Sequence, residues 1–403
     1  MIGSIKRYIL NNKYELLVSF LLFTNLFPRE FPGILYYVSF VFILIKFIRY
    51  NEKSYGKTYL FYVFIAYIWL STILGLALDL RLLIFSFILF IWAPRKSLRW
   101  HNYKLKLLRN IFIGFGIATL ANFYAKIAGI NQIELDEYME AMGLVREFAG
   151  FCTHPMWTSA AGAISSLFFV SLVFSKTVSN IWWRLCCLAM ALISYYIIAI
   201  SGSRSAFVLS LGCSLLIVLM NSKRVTTLMR NIVIVVGVVI LFSPVIIENS
   251  GAMLQKKNAF EITTEGTSRD ELWAQRMAEF KSSPILGIGF AAHGVGLSKV
   301  LGRNESGGGY ISVLAQTGII GILFLAIIWF YAIMLPKRVG NNSTTVLTYC
   351  VFVFMIFHSI FEGYLFQGGW YLCMVMWLIV GVMIEHKDFS RKYPQLMYSL
   401  HTI

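Results

Sequence analysis

The chain has 403 residues, of which 58% are hydrophobic and 13% charged, with a formal net charge of +16. A soluble domain is roughly 45–50% apolar and about 25% charged. With 33 Phe, 21 Tyr and 10 Trp against 8 Pro, the composition excludes a soluble enzyme, a disordered chain and a disulfide-rich secreted module. It indicates an all-α polytopic membrane protein. The basic residues lie in short clusters between apolar runs rather than on one face, which excludes nucleic acid as the partner and points to membrane orientation.

Twelve apolar runs read as spanning helices, over about 9–27, 32–48, 58–78, 80–94, 108–130, 156–174, 182–200, 205–220, 231–248, 310–335, 344–361 and 368–385. The fourth is short. With the N-terminus in the cytoplasm, the inner segments are 1–15, 46–57, 95–109, 175–184, 221–230, 336–343 and 385–403. They hold 23 of the 35 basic residues and only four acidic ones, Glu15, Glu52, Glu385 and Asp388. This positive-inside asymmetry predicts both termini in the cytoplasm and one integral membrane domain over 1–403. No removable signal peptide is visible, and the first apolar run reads as a spanning helix. Five of the six cysteines fall inside apolar runs, and none forms a CxxC or metal-like spacing. No structural disulfide, metal site or cofactor is expected.

Two outer segments are long. Residues 131–155 carry Glu134, Asp136, Glu137, Glu140 and Glu147 against Arg146 and read as a short amphipathic helix near the membrane surface. Residues 249–309 form the largest non-spanning segment, and Trp273, Phe280, Ile285, Leu286 and Phe290 predict that it is ordered. The spacing of Leu272, Trp273, Met277 and Phe280 predicts a helix over Arg269–Lys281, ended by Pro284. The absence of internal repeats speaks against an inverted-repeat transporter.

Charge beside hydrocarbon is costly and usually has a function. Arg204 stands in Ser201-Gly202-Ser203-Arg204-Ser205, between two apolar helices with almost no loop. Its planar fork of five donors suits a diphosphate, or snorkels to head groups. The flanking Ser-Gly-Ser leaves room for close backbone approach and favours the functional role. Arg269, Trp273 and Arg276 share one helix face at i, i+4 and i+7. The structural alternative is a surface Arg paired with Asp270 or Glu271. In Arg303-Asn304-Glu305-Ser306-Gly307-Gly308-Gly309-Tyr310, the glycines let backbone N–H groups approach an anion. Glu305 is the best-placed general base there, or else a helix cap. Arg276 and Arg303 are further phosphate-binding candidates. His154, His293, and Glu362 with His358 are remaining outer-side polar groups.

These residues form a pattern in order. Ser-Gly-Ser-Arg opens a helix, a large outer loop brings Arg269 and Trp273 ahead of Pro284-Ile285-Leu286-Gly287-Ile288-Gly289, and Tyr310-Ile311-Ser312-Val313-Leu314-Ala315-Gln316-Thr317-Gly318-Ile319-Ile320-Gly321 begins the next span. Over about residues 190–335 this resembles the O-antigen ligase and O-antigen polymerase superfamily of bacterial surface-polysaccharide synthesis. The resemblance implies a GT-C-like glycosyltransferase fold. It implies metal-independent transfer of glycan from an undecaprenyl-diphosphate donor at the outer face of the inner membrane. It implies that Arg204 is the family's essential helix-opening Arg and Arg269 the loop Arg that holds the diphosphate. Trp273 and Tyr310 are expected to bind substrate.

One departure bears on which member this is. Ligases resembling this chain carry a His-Asn pair just before the tenth helix, where this chain has Gly307 and Gly308. An acidic residue followed by Ser looks more like the polymerases, with Glu305 as base. The expected activity is therefore polymerisation of O-antigen or capsule repeat units, for lipopolysaccharide or capsule biosynthesis. The expected partners are undecaprenyl-diphosphate-linked oligosaccharides and membrane lipids, with a chain-length regulator as a further candidate. The alternatives are a ligase acting on lipid A core or protein, and a lipid-linked sugar flippase. A flippase needs charges along a path through mid-membrane, where Lys126 is the main ionisable group.

Overall fold

The structure, a computed structural model, describes residues 2–50, 56–132, 147–175, 178–222, 224–249, 268–301, 307–334 and 343–393. The helices within them are α1 (Ile2–Phe23), α2 (Ile34–Tyr50), α3 (Gly56–Leu74), α4 (Leu80–Trp92), α5 (Leu98–Ile127), α6 (Pro155–Val173), α7 (Ile181–Ile200), α8 (Arg204–Asn221), α9 (Val225–Asn249), α10 (Ser268–Ser282), α11 (Gly309–Ile333), α12 (Ser343–His358) and α13 (Tyr371–Lys392). All but α10 overlap the twelve expected runs, and α10 is the outer helix expected over Arg269–Lys281. Six of them (α3, α5, α6, α7, α8 and α11) are long and apolar enough to cross a membrane, and α4 and α12 are apolar but shorter. Residues 133–146, the core of the expected amphipathic outer helix, lie outside the described residues.

One boundary differs. Residues 95–109 were expected as a charged inner loop, but α5 already begins at Leu98, where the Ser97 hydroxyl accepts from the Trp100 N–H. Lys104 and Arg109 are consequently buried helix residues rather than solvated loop charges. Their burial is possible because α13 supplies partners. A helix that is apolar on every side must be covered on every side, and α13 is buried continuously from Tyr371 to His386. It packs against α4, α5, α11 and α12.

Toward the C-terminal end of α13 the fully buried Glu385 accepts from Lys104 Nζ at 2.8 Å and from the Arg95 backbone N–H at 2.7 Å. His101 Nδ1 lies 2.8 Å from its other oxygen. Lys104 also donates to the Trp92 carbonyl at 3.2 Å, at the C-terminus of α4 where a cation is favoured. His386 continues the network, 3.4 Å from His101 and 2.6 Å from the Thr345 hydroxyl. Gly381 makes this approach possible, because a Cβ there would stand 2.1 Å from the Trp92 oxygen.

The outer loop is joined to the bundle by a break in α11. Gly318 leaves helical geometry at φ 63°, ψ −166°. The Ala315 and Gln316 carbonyls accept from the Ile288 and Gly289 N–H groups, each at 3.0 Å, and the Ile319 N–H donates to the Pro284 carbonyl at 2.9 Å. Tyr67 and Ser71 of α3 close the arrangement. The Tyr67 hydroxyl donates to the Thr317 carbonyl at 2.6 Å, and the Ser71 hydroxyl to the Leu286 carbonyl at 2.5 Å. Tyr67 stands seven residues before the end of α3, so the loop re-enters by roughly 10 Å. Irregular backbone at such depth persists only where protein covers it. The two glycines follow from the geometry. A Cβ on Gly287 (φ +77°) would lie 2.3 Å from the Gln316 carbonyl carbon, and one on Gly318 2.2 Å from the Ile285 oxygen.

Gly287→Ala and Gly318→Ala are each expected to lower the thermal midpoint of the detergent-purified protein sharply, since left-handed strain of about 1–3 kcal/mol adds to a backbone collision. Gly212→Ala in α8, where a Cβ meets nothing within 4 Å, is the control and is expected to be neutral or stabilising. Lys104→Met alone is expected to cost about 3–5 kcal/mol by denaturant unfolding, and pairing it with Glu385→Leu is expected to restore part of that loss.

Candidate active site

Arg204 is the first residue of α8. Gly202 turns the chain at φ +75°, and the Ser203 hydroxyl accepts from the Ala206 N–H at 3.4 Å as the N-cap. This leaves Arg204 exposed at a helix N-terminus, a place that favours anions. The segment before α6 lies alongside. Asn131 holds it, donating to the Glu147 carbonyl at 2.9 Å and accepting from the Ala149 N–H at 3.0 Å. A Cβ on Gly202 would come 3.6 Å from the Glu147 carboxyl carbon. The Glu147 carboxylate, one of the outer-loop acids, therefore stands beside the turn that ends in Arg204.

The glycine turn before α11 is built differently from expectation. The Trp273 indole N–H donates to the Gly307 carbonyl at 2.7 Å. Gly307 has φ +67°, and a Cβ there would lie 3.0 Å from Leu272 and Trp273. A Cβ on Gly308 would lie 2.4 Å from the Ile360 oxygen. The Gly309 N–H is committed to the Ser359 carbonyl at 2.8 Å. The glycines thus serve close packing between α10 and the turn after α12, and the expected cradle of free N–H groups at Gly309 is corrected. A side chain at Gly308 would collide with the Ile360 backbone, and one at Gly307 would press on Leu272 and Trp273. Trp273 holds this turn through its ring nitrogen, and the Tyr310 hydroxyl donates to the Ile356 carbonyl at 3.1 Å.

Arg276, expected to bind phosphate, is buried and already occupied. It donates to Glu279 at 2.7 Å, to the Ala292 carbonyl at 3.4 Å and to His293 Nδ1. Glu279 accepts in turn from the Gly294 N–H at 2.5 Å. These bonds fasten α10 to a small antiparallel hairpin, β1 (Ala292–His293) with β2 (Val300–Leu301). Burial pulls the guanidinium below its ordinary pKa, and Glu279 opposes that shift. His293 is likewise an acceptor within this fastening, and His154 caps α6 by accepting from the Met156 N–H at 3.2 Å. The Arg269 backbone lies in the first turn of α10. Its side chain, Arg303 and Glu305 lie outside the described residues.

Arg204 and the glycine turn are at the same end of the bundle. The C-terminal end of α6 meets the start of α12 at Ser175 and Ser343, 3.5 Å apart. The start of α6 meets Trp370 through Trp157, with centroids 5.7 Å apart. Tyr364 then links Trp370 to His358, at 5.7 and 5.8 Å. α8 packs on both α6 and α12. The end of α12 carries buried His358 and Glu362, and the Glu362 backbone oxygen lies against Gly309.

Residues 188–326 match the model of the family described as O-antigen ligase. No curated protein matches the chain. The matched segment runs from α7 into α11 and contains the Arg204 turn, α10, the loop stitched into α11 and the Gly307–Tyr310 turn. The match spans about a third of the chain, and over it this polytopic membrane protein is similar to the O-antigen ligase/polymerase superfamily of glycosyltransferase-like enzymes.

Proposed function

We propose that the chain is a repeat-unit polymerase for O-antigen or capsular polysaccharide. It works at the outer face of a bacterial inner membrane, which it crosses twelve times with both termini in the cytoplasm. The donor is a glycan chain on undecaprenyl diphosphate, and the acceptor is one lipid-linked repeat unit. A terminal hydroxyl of the acceptor attacks the donor's anomeric carbon. The bond from that carbon to the diphosphate oxygen breaks, and undecaprenyl diphosphate leaves with the electron pair. The hydroxyl proton passes to Glu305. Arg204 and Arg269 neutralise the charge that develops on the leaving diphosphate. Trp273 holds the Gly307 turn, and so the segment that delivers Glu305 two residues upstream. The lipid-linked donor is already activated, so the reaction as proposed uses no metal or cofactor.

The observation that carries this reading is an exposed Arg opening α8, inside the matched segment, at the same end of the bundle as the turn before α11. Gly307 and Gly308, where ligases resembling this chain carry a His-Asn pair, favour polymerase over ligase. The description of the matched family favours ligase. An acceptor assay separates them: transfer to lipid A core without lengthening of lipid-linked repeats selects the ligase.

Arg204→Ala is expected to reduce chain extension by roughly 10²–10³-fold at unchanged protein level, the usual loss for one stabilising donor. The readout is the glycan ladder from purified protein and lipid-linked repeats, and an unaltered ladder removes Arg204 from the mechanism. Trp273→Phe keeps the ring and loses the N–H bond to Gly307, worth about 0.5–1.5 kcal/mol. Faster amide exchange at Gly307–Tyr310 is expected, with a larger fall in kcat than rise in KM.

A further inference from the structure

A polymerase of this kind holds two lipid diphosphates at once, and the Arg204 region accounts for one. A cavity of about 360 Å³ lies at the other end of α10, bounded by Ser71, Gly75, Ser283, Gly287, Gly294 and Lys299. Along α10, Trp273 and Ser282 are nine residues apart, or about 14 Å. The cavity is therefore set apart from the glycine turn that Trp273 holds.

Lys299 is the single charged side chain among the residues lining the cavity. Its ammonium donates to the Gly75 carbonyl just past the end of α3, and an ammonium has three donors. Burial pulls Lys299 below its ordinary pKa, a shift that a bound anion reverses. The glycine walls bring backbone close to any occupant, and at Gly296 a Cβ would meet nothing within 4 Å. Leu74 and Val295, which line the cavity, are exposed, as are their near neighbours in the chain, Leu76 and Leu297. They continue the exposed apolar face that Leu70 and Ile73 form on α3. An anionic head with a long apolar tail fits this combination: one cation inside the cavity and a hydrocarbon surface running away from it.

We propose that the Lys299 cavity binds the diphosphate of the second lipid-linked substrate, the acceptor, with its polyprenyl tail lying over the outer end of α3. This rests on the polymerase reading. The proposal gives donor and acceptor lipids separate seats, with the sugars of the acceptor reaching along α10 toward the glycine turn.

Native mass spectrometry of the full-length protein in detergent, with undecaprenyl diphosphate as the probe, tests it. The expected result is two molecules per wild-type chain, one for Lys299→Ala, and two for Lys299→Arg. Ser283→Phe, which fills the cavity without touching Lys299, is also expected to leave one. Two molecules retained in both Lys299→Ala and Ser283→Phe overturn the proposal, as does a single wild-type molecule insensitive to both. Replacement of the Lys299-dependent molecule by equimolar phosphatidylglycerol also overturns it and makes the cavity a bilayer-lipid site. Arg204→Ala reads the donor seat separately: if both molecules remain bound there, the Arg204 assignment fails while the Lys299 site stands.

Discussion

The outer half of the molecule depends on a set of backbone hydrogen bonds inside the bundle. Breaking α11 at Gly318 frees the carbonyls of Ala315 and Gln316 and the N–H of Ile319, and the Pro284–Gly289 stretch satisfies them. Buried backbone groups must be paired, so neither partner is stable without the other. Tyr67 and Ser71 then tie both to α3. From this anchor α10 leads back to the glycine turn at one end, and the Arg276–Glu279 pair fastens the β1–β2 hairpin beside it. The geometry of the outer loop is set from below, by the membrane-embedded part of the chain.

The helices were legible because hydrophobic runs and their charged flanks are dictated by the solvent on each side of the bilayer. The helix at α10 was legible from the spacing of Leu272, Trp273 and Phe280. The fate of individual polar residues was not. Arg276 and Trp273 differ in partners, not in pattern: one is consumed by Glu279, Ala292 and His293, the other by Gly307. Likewise, the glycines at 307–309 suit an anion cradle and close packing equally well in a sequence, and only the neighbouring Ser359 and Ile360 carbonyls decide between them. The Pro-Ile-Leu-Gly-Ile-Gly and Gln-Thr-Gly stretches looked like separate loop and helix motifs. They are two halves of one hydrogen-bonded unit.

The same limit applies to the inner charges. Lys104 and Glu385 enter the count for the expected cytoplasmic flank, but the count does not reveal that they are paired in the interior. A buried ion pair contributes little net stability against apolar replacement, while loss of one partner is severe. Here the pair ties α5 to α13 beside Gly381, which admits the end of α4.

Among the described helices α13 is the most thoroughly enclosed, and it follows α4, α5, α11 and α12 in the chain. The ribosome therefore delivers α4, α5, α11 and α12 before the element that all four pack against exists. Until Tyr371–His386 enters, those helices sit in the bilayer with unsatisfied faces and unpaired Lys104. Assembly of this bundle must be a late event that follows insertion, and a chain ending before α13 lacks the keystone around which the earlier helices close.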